Sequence, residues 1–336
     1  MIMEEIFNYY LPKELIAQYP IKDRGKANLL IINRKTGEII EKIFENIVEF
    51  LNSGDVLVLN DAKVIPARLY GKKETGGKIE IFLLNKKERY IWEVLLRGNI
   101  KIGQKFFIDK INGIIIEKTS EGSYLVKFNI DNYEEIKKHG EIPLPPYIKR
   151  KPNEEDEKYY QTIYAKKEGA LAAPTAGLHF TKEILENLKD KGVEIVYLTL
   201  YIGWASFRLI KKINIQNISI PEEFFEIPQD TADKINTANA SGKKIFAVGT
   251  SCVRALESSI IGNKIVAKRE KTNLFIKQGF NFKIVNGLIT NFHLPNSTHL
   301  YLVCAFGGTN LVEKAYKLAI EKKYRFYSYG DAMLII

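Results

Sequence analysis

Residues 68–128 read RLYGKKETGGKIEIFLLNKKERYIWEVLLRGNIKIGQKFFIDKINGIIIEKTSEGSYLVKF, and this stretch decides the fold. Apolar and polar residues alternate through six short runs, at residues 68–73, 78–87, 90–98, 105–110, 113–118 and 123–128. Glycine-containing turns separate most of these runs, and no helical spacing interrupts them. A period of two is that of a strand with one buried face, so six such runs predict a small antiparallel β-barrel.

The sequence on either side of this stretch has the pattern of an α/β domain. Residues 29–40 predict a strand, a turn and a second strand, and the run DVLVLN at residues 55–60 predicts a third. After residue 160, apolar strands alternate with helical patterns. The predicted helices are residues 43–51, residues 181–191 capped by Thr181, residues 230–241 capped by Asp230, a helix beginning at Ser297, and residues 310–323 with Asn310 and Glu313 as a capping box.

We therefore predict an α/β fold: a mixed-sheet α/β domain with an inserted small antiparallel β-barrel domain. The α/β domain is discontinuous and comprises residues 1–62 and 151–336, and residues 63–150 form the barrel domain. A proline-stiffened connector, PLPPYIKRK at residues 143–151, leads the chain back from the barrel.

The composition is that of an ordinary soluble protein whose excess of positive charge suits a polyanionic partner, although basic enzymes that bind no nucleic acid also have such an excess. Among 336 residues there are 50 Lys and Arg against 40 Asp and Glu, a net charge of +10. Cys252 and Cys304 are too few for a disulfide framework and lie in apolar contexts, which indicates a reducing compartment. Neither a secretory leader nor an apolar run of bilayer length is visible, so we expect a cytoplasmic protein.

Residues 160–181, YQTIYAKKEGALAAPTAGLHFT, contain the first candidate site. Small residues crowd its second half, where Pro174 and Gly177 predict a defined turn. That turn precedes His179 and Phe180, just before the helix capped by Thr181. An imidazole beside a glycine turn and a helix N-terminus suits a polar ligand, whereas the alternative is a tight turn with a structural histidine.

Residues 248–258, VGTSCVRALES, predict a strand, a turn and a helix. Backbone N–H groups and hydroxyls of Gly249, Thr250 and Ser251 in the turn can hold a carboxylate, a ribose or a phosphate. Arg254 and Glu257 lie three apart and share a helix face, and an ordinary surface ion pair is the alternative for them.

A third candidate site follows the strand that ends near residue 291. Asn291, His293 and Ser297 gather there, at the usual ligand position of an open α/β sheet, although a core-facing histidine is an equal alternative. Asp331 follows Gly330 and is a turn residue by default. No His or Cys pair has the short spacing of a zinc site, so we expect no metal.

The sequence of these stretches resembles that of the S-adenosylmethionine:tRNA ribosyltransferase-isomerase family of queuosine biosynthesis. The resemblance extends over nearly the whole chain. It rests on LIAQYP at residues 15–20, VLNDAKVIPARLYGKK at 58–73, PLPPYIKR at 143–150, residues 160–181, VGTSCVRALES, ITNFHLPNSTHLYLVCAFGG at 289–308 and YRFYSYGDAMLI at 324–335.

The resemblance implies a bacterial enzyme with the same inserted barrel and with S-adenosyl-L-methionine as co-substrate. Its family transfers and isomerises the ribosyl moiety of that molecule onto the 7-aminomethyl-7-deazaguanine wobble base in the anticodon arm of tRNA. The products are epoxyqueuosine-tRNA, adenine and methionine. A base removes a C5′ proton, no metal is needed, and we expect a monomer.

On this basis we predict three groups of site residues. The catalytic residues are His179 as the first candidate for the base and His293 as the second, Glu257 or Asp331 to stabilise the imidazolium, and Tyr201. The cofactor-binding residues are Pro174, Thr175, Gly177, Phe180, Gly249, Thr250, Ser251, Asn291 and Ser297, and the RNA-binding residues are Arg68, Lys72, Arg150 and Arg254. Tyr201 replaces a histidine that many family members have, and Glu223 follows a segment that also lacks the family's histidine.

Two other classes of function remain open at this point. A conventional S-adenosylmethionine-dependent RNA methyltransferase would need a glycine-rich E/DxGxGxG loop after a strand, and the sequence has none. A non-catalytic RNA-binding protein would have little use for apolar, glycine-punctuated blocks with embedded His, Arg and Asn. Product analysis separates the three classes.

Overall fold

A computed structural model describes residues 8–120, 122–203 and 220–336. The strands are β1 (Asn28–Ile32), β2 (Ile39–Ile43), β3 (Val56–Asn60), β4 (Ala62–Val64), β5 (Arg68–Lys73), β6 (Lys78–Glu88), β7 (Ile91–Arg97), β8 (Lys105–Ile108), β9 (Ile111–Lys118), β10 (Tyr124–Phe128), β11 (Gly140–Glu141), β12 (Lys167–Ala170), β13 (Glu194–Leu200), β14 (Glu223–Ile227), β15 (Ile245–Val248), β16 (Ile260–Ile261), β17 (Lys264–Ile265), β18 (Lys268–Thr272), β19 (Gly287–Asn291) and β20 (Ala332–Ile335). The α-helices are α1 (Tyr133–Lys137), α2 (Glu154–Tyr159), α3 (Lys182–Asp190), α4 (Gln229–Ala240), α5 (Thr250–Glu257), α6 (Thr298–Gly307) and α7 (Thr309–Glu321). Short 3-10 helices cover Lys13–Leu15, Arg24–Lys26, Phe44–Phe50 and Thr175–His179.

The predicted barrel is present and closed. Its strands pair in the order β5, β6, β7, β10, β9, β8, every pairing is antiparallel, and β8 returns to β5. The alternation in β6 contributes to the barrel interior, because Ile79, Ile81 and Leu83 are buried while the residues between them are more exposed. All six predicted runs are strands, and the short β11 extends the barrel at β5.

The remaining long strands form one mixed sheet of nine, in the order β18, β14, β13, β3, β15, β19, β20, β1, β2. Four central strands, β13, β3, β15 and β19, run parallel to their neighbours within this group. β3 is buried on both faces, with Val56 and Val58 in one hydrophobic core and Leu57 and Leu59 in the other. Burial on both faces is what a central parallel strand requires, so the predicted α/β class is confirmed.

The helix boundaries test the predicted caps. Thr181 caps α3 by accepting the N–H of Ile184, and Ser297 caps α6 by accepting the N–H of Leu300, as predicted. The caps predicted at residues 230 and 310 are wrong, because α4 and α7 begin at residues 229 and 309. Asp230 and Asn310 therefore lie inside the first turns of α4 and α7. The helical spacing at residues 43–51 corresponds to the 3-10 helix Phe44–Phe50.

The predicted domain boundaries, residues 63–150 for the barrel, stay a prediction. In the described part of the chain, no helix is both long enough and apolar enough to cross a bilayer.

A buried carboxylate joins the connector after the barrel to the C-terminal segment. Asp156, whose side chain is fully buried, accepts hydrogen bonds from both terminal nitrogens of Arg150, at 2.5 and 2.7 Å, and from the Tyr329 hydroxyl at 2.7 Å. The backbone N–H of Asn153 adds a fourth at 2.8 Å. Burial raises the pKa of Asp156, but these hydrogen bonds outweigh it and hold the pKa below its usual value.

We predict that Asp156→Asn lowers the free energy of unfolding at pH 7 by about 3 kcal/mol, because it leaves the half-buried Arg150 guanidinium unpaired. A depressed pKa contributes stability that is present above the unfolded-state pKa and is lost as pH falls through the folded-state pKa. The difference between variant and wild type should therefore shrink in acid. Urea titration at several pH values measures it. Asp190→Asn, on the exposed end of α3, is the control and should change stability by less than about 0.5 kcal/mol. An equal loss in both variants would contradict the prediction.

Candidate active site

A pocket opens where β15 and β19 end. These strands are parallel neighbours, so the chain segments that follow them leave the sheet at the same edge. The segment after β15 contributes Gly249 and Thr250, and the segment after β19 contributes Phe292 and His293. Residues 172–176 form another wall. The three stretches singled out in the sequence therefore line one pocket.

Seven of the nine predicted cofactor-binding residues lie on this pocket: Pro174, Thr175, Gly249, Thr250, Ser251, Asn291 and Ser297. The other two are not on it. Gly177 packs against Tyr164, whose hydroxyl would lie 2.0 Å from a Cβ added at Gly177. Phe180 is fully buried, with its ring edge-on to Phe44 at 4.9 Å. Both therefore support the wall from behind.

The start of α5 is shaped by a glycine. Gly249 has φ of +88°, a left-handed conformation that is strained for other residues, and this allows β15 to turn directly into the helix. Its N–H donates to the carbonyl of Ile289 at 2.8 Å, which ties the turn to β19. Thr250 and Ser251 form the first helical turn, and no described side chain caps it. The N–H groups and the positive end of the helix dipole are thus at the pocket.

Two stacked imidazoles lie in the pocket. His293 and His299 have ring centroids 5.2 Å apart and an interplanar angle of 16°. The Nε2 atom of His293 is 2.7 Å from the Thr290 hydroxyl. Burial, and next the neighbouring His299, lower the pKa of His293 well below 6.5. Burial also lowers the pKa of His299 to about 4, so both rings are neutral at pH 7.

His179, the first candidate for the base, lies elsewhere. It is 3% exposed, at the end of the 3-10 helix Thr175–His179, and its ring packs on Phe44 at 5.0 Å. Burial lowers the pKa of His179 to about 4, and the side chain of Asn291 acts in the opposite direction. A small second cavity, which also contains Arg24, contacts the ring. Ser328 lines both cavities, so the two are adjacent but distinct.

An ion pair that sequence reasoning missed forms part of the pocket wall. Arg254 and Glu223 both line the pocket and are hydrogen-bonded through Nη1 and Oε2. Arg254 is 9% exposed and belongs to the pocket wall, and its predicted role in RNA binding stays a prediction. Arg254 and Glu223 are 31 positions apart in the sequence, so no local pattern predicts that they pair. Glu223 itself was noted only because the segment before it lacks the family's histidine.

Hydroxyl groups were missed as well. The Tyr147 hydroxyl and the Ser328 Oγ are 2.6 Å apart and line the pocket together with Tyr160. Tyr147 belongs to the stretch PLPPYIKR and Ser328 to YRFYSYGD. Both stretches resemble family blocks, but nothing in their local pattern indicates that they meet.

Three predicted catalytic residues do not line the pocket. Glu257 accepts the N–H groups of residues 283–285, at 3.1 to 3.2 Å, instead of pairing with Arg254. Asp331 is 1% exposed and accepts N–H groups of Asn28 and Arg325. The ring of Tyr201 packs beside Gly169. Backbone N–H groups bind both carboxylates, the Asn28 side chain also donates to Asp331, and the predicted catalytic roles of these residues stay predictions.

The predicted RNA-binding residues differ in their surroundings. Arg68 is half-buried, with its Nε 3.3 Å from a Glu80 oxygen, and Arg150 is the partner of Asp156. Lys72 is exposed on β5. Opposite it in the β5–β6 register is Lys78, and opposite it in the β5–β8 register is Phe107, which is 42% exposed. Two lysines and an aromatic ring thus share one patch of the barrel surface.

Within the ranges 8–120, 122–203 and 220–336, no group of three or more His, Cys, Asp or Glu residues is arranged to hold a metal ion.

Comparison with known proteins extends along the whole chain. A model of the family described as "Queuosine biosynthesis protein" matches residues 4–335. The S-adenosylmethionine:tRNA ribosyltransferase-isomerase of Halothermothrix orenii is 48% identical over 340 residues, which cover 99% of each chain. That of Sulfurihydrogenibium sp. is 46% identical over 98% of each chain.

A solved structure is similar as well. The crystal structure of the S-adenosylmethionine tRNA ribosyltransferase from Thermotoga maritima aligns with a TM-score of 0.58 and 37% sequence identity, over 98% of this chain and 99% of that one. The resemblance seen in the sequence is thereby confirmed. The chain belongs to the S-adenosylmethionine:tRNA ribosyltransferase-isomerase family of queuosine biosynthesis enzymes.

Proposed function

We propose that this enzyme transfers and isomerises the ribosyl moiety of S-adenosylmethionine onto the 7-aminomethyl-7-deazaguanine base of tRNA. Epoxyqueuosine-tRNA, adenine and methionine are the products. One observation supports the proposal most directly. Three segments that belong to sequence motifs resembling the family, at residues 172–176, 249–251 and 290–297, surround a single pocket. The names of the full-length relatives support the same reaction class.

The pocket suits S-adenosylmethionine in its mixture of surfaces. Ala172, Ala173 and Phe292 offer apolar contact for a base or a thioether chain. The first turn of α5 offers N–H groups for ribose oxygens and a carboxylate. The sulfonium of the co-substrate makes its C5′ protons acidic and its ribosyl group available for transfer. The protein's task is to bind, orient and deprotonate it.

We propose His293 as the base, ahead of His179. His293 is on the pocket, whereas His179 packs on Phe44 behind it. When Nε2 of His293 donates its proton to the Thr290 hydroxyl, Nδ1 keeps a lone pair and is able to accept a proton. Its burial keeps the ring neutral at pH 7, which is the competent state of a base.

The tRNA docks, in this proposal, on the barrel patch of Lys72, Lys78 and Phe107. Two lysines directly opposite each other on neighbouring strands repel, and an anionic partner relieves that repulsion. The exposed Phe107 ring provides a surface for base stacking. Arg68 and Arg150 are engaged in ion pairs with Glu80 and Asp156, so their positive charges are largely balanced and the exposed lysines carry the proposed interaction.

Incubation with S-adenosylmethionine and tRNA that carries the aminomethyl base tests the function. We expect release of adenine and methionine in equal amounts, measured by liquid chromatography. Release of S-adenosylhomocysteine would instead indicate a methyltransferase. The absence of any product, with tRNA binding intact, would indicate an RNA-binding protein.

Exchange of the C5′ protons of S-adenosylmethionine with heavy water tests the base. We expect His293→Asn to slow exchange by ~10²–10⁴ with little change in binding of S-adenosylmethionine, because only proton transfer is lost. His139→Asn, on the barrel, is the matched control and should exchange normally. An exchange rate in His293→Asn equal to that of the wild type would rule His293 out.

The pH profile of the same exchange carries a second expectation. Because the pKa of His293 lies well below 6.5, the neutral ring persists as pH falls, and the rate should stay flat from roughly pH 7.5 to 6. A rate that halves near pH 6.5 would point to a solvated histidine.

Charge reversal tests the tRNA surface. Lys72→Glu with Lys78→Glu should weaken tRNA binding and lower the slope of log K against log salt by about one unit for each phosphate that the variant no longer binds. Filter binding at several salt concentrations measures it. Lys189→Glu, exposed on α3, is the control, and equal weakening by it would mean that only net charge matters.

A further inference from the structure

Arg254 and Glu223 form an ion pair in the pocket wall. Of the described residues that line it, Arg254 is the one Lys or Arg and Glu223 the one Asp or Glu. A charge that is 9% exposed costs free energy to keep in the protein, and a buried ion pair is weak evidence of a stabilising role. The pair therefore calls for a functional explanation.

The contacts of Arg254 fix the position of its guanidinium but occupy only some of its N–H donors. Nε donates to the carbonyl of Leu274 at 3.1 Å, Nη2 donates to the carbonyl of Thr272 at 3.3 Å, and Nη1 donates to Glu223. A guanidinium has five N–H donors, and these described contacts occupy three of them. One N–H remains on each terminal nitrogen, and this is the pair of nitrogens that binds a carboxylate in a bidentate manner.

The helix places a second source of positive potential beside Arg254. Thr250 and Arg254 are four residues apart on α5, so they share a helix face, and both line the pocket. The first turn of α5 directs its N–H groups to the same space. An anion bound there would contact the helix N-terminus and the guanidinium together.

We propose that Arg254 binds the α-carboxylate of the methionine moiety of S-adenosylmethionine and thereby determines specificity for the intact amino acid. Glu223 is a positioning residue, because it holds the guanidinium and balances its charge. A carboxylate at the end of a flexible chain reaches a buried guanidinium, whereas a backbone phosphate of a folded tRNA needs an exposed one. This inference rests on the proposed function.

Decarboxylated S-adenosylmethionine provides the test, since it keeps the sulfonium, the ribose and the adenine and lacks only the carboxylate. Adenine release with saturating substrate tRNA gives kcat/KM for both compounds. We expect the wild type to favour S-adenosylmethionine by on the order of 10²-fold or more. Arg254→Gln should lose on the order of 10²-fold with S-adenosylmethionine and less than about threefold with the decarboxylated compound. Arg254→Lys should fall between, because it keeps the charge and loses the bidentate fork.

Binding measurements separate the two ligands. Calorimetry without tRNA should give a raised Kd for S-adenosylmethionine in Arg254→Gln, and filter binding should give an unchanged Kd for tRNA. Arg269→Gln, an exposed arginine outside the pocket, should match the wild type in every assay.

Three results would overturn the inference. They are equal use of both compounds by the wild type, an equal loss with both compounds in Arg254→Gln, and a loss of tRNA affinity without a loss of affinity for S-adenosylmethionine. The first needs no variant, so a folding defect in Arg254→Gln leaves the inference testable. Failure of the proposed function itself has a separate signature, because the wild type would then release neither adenine nor methionine from S-adenosylmethionine.

Discussion

The parallel pairing of β15 with β19 is the constraint on which the pocket depends. Because Val248 is in register with Ile289, the chain leaves both strands at one edge, and the two loops become opposite walls of one space. The N–H of Gly249, which donates to Ile289, fixes the spacing of these walls. The first turn of α5 and the stacked histidines follow these two strands, so their place in the pocket depends on that edge.

Burial acts differently on the two kinds of titratable group in the pocket, the imidazoles and the Arg254–Glu223 pair. Desolvation lowers the pKa values of the His293 and His299 imidazoles and outweighs the opposing effect of the Glu223 carboxylate on His299, so both rings stay neutral at pH 7. The Arg254 guanidinium instead donates hydrogen bonds to Glu223 and to two carbonyl groups. Burial therefore leaves His293 and His299 neutral, whereas the charge of Arg254 is balanced by Glu223.

Much of the fold could be predicted because its signals are local. The barrel follows from period-two alternation, and the caps at Thr181 and Ser297 follow from the residues at the helix starts. Local sequence motifs also identified Gly249–Ser251 and Asn291, which line the pocket. The position of His179 could not be predicted, since its approach to Phe44 depends on how a distant 3-10 helix packs. The Arg254–Glu223 pair was missed for the same reason, because it joins α5 to β14 across the sheet.

The charge balance of the pocket also bears on which substrate it admits. S-adenosylmethionine carries a sulfonium, an ammonium and a carboxylate, a net charge of +1. A pocket with two protonated imidazoles beside Arg254 would repel such a cation, and at low effective dielectric the repulsion would be severe. With both rings neutral and Arg254 offset by Glu223, the formal charge of the described pocket lining is zero. In the proposed reaction, the burial that keeps His293 neutral would thus remove a repulsion against the cationic donor and would keep the lone pair that the proposed base needs.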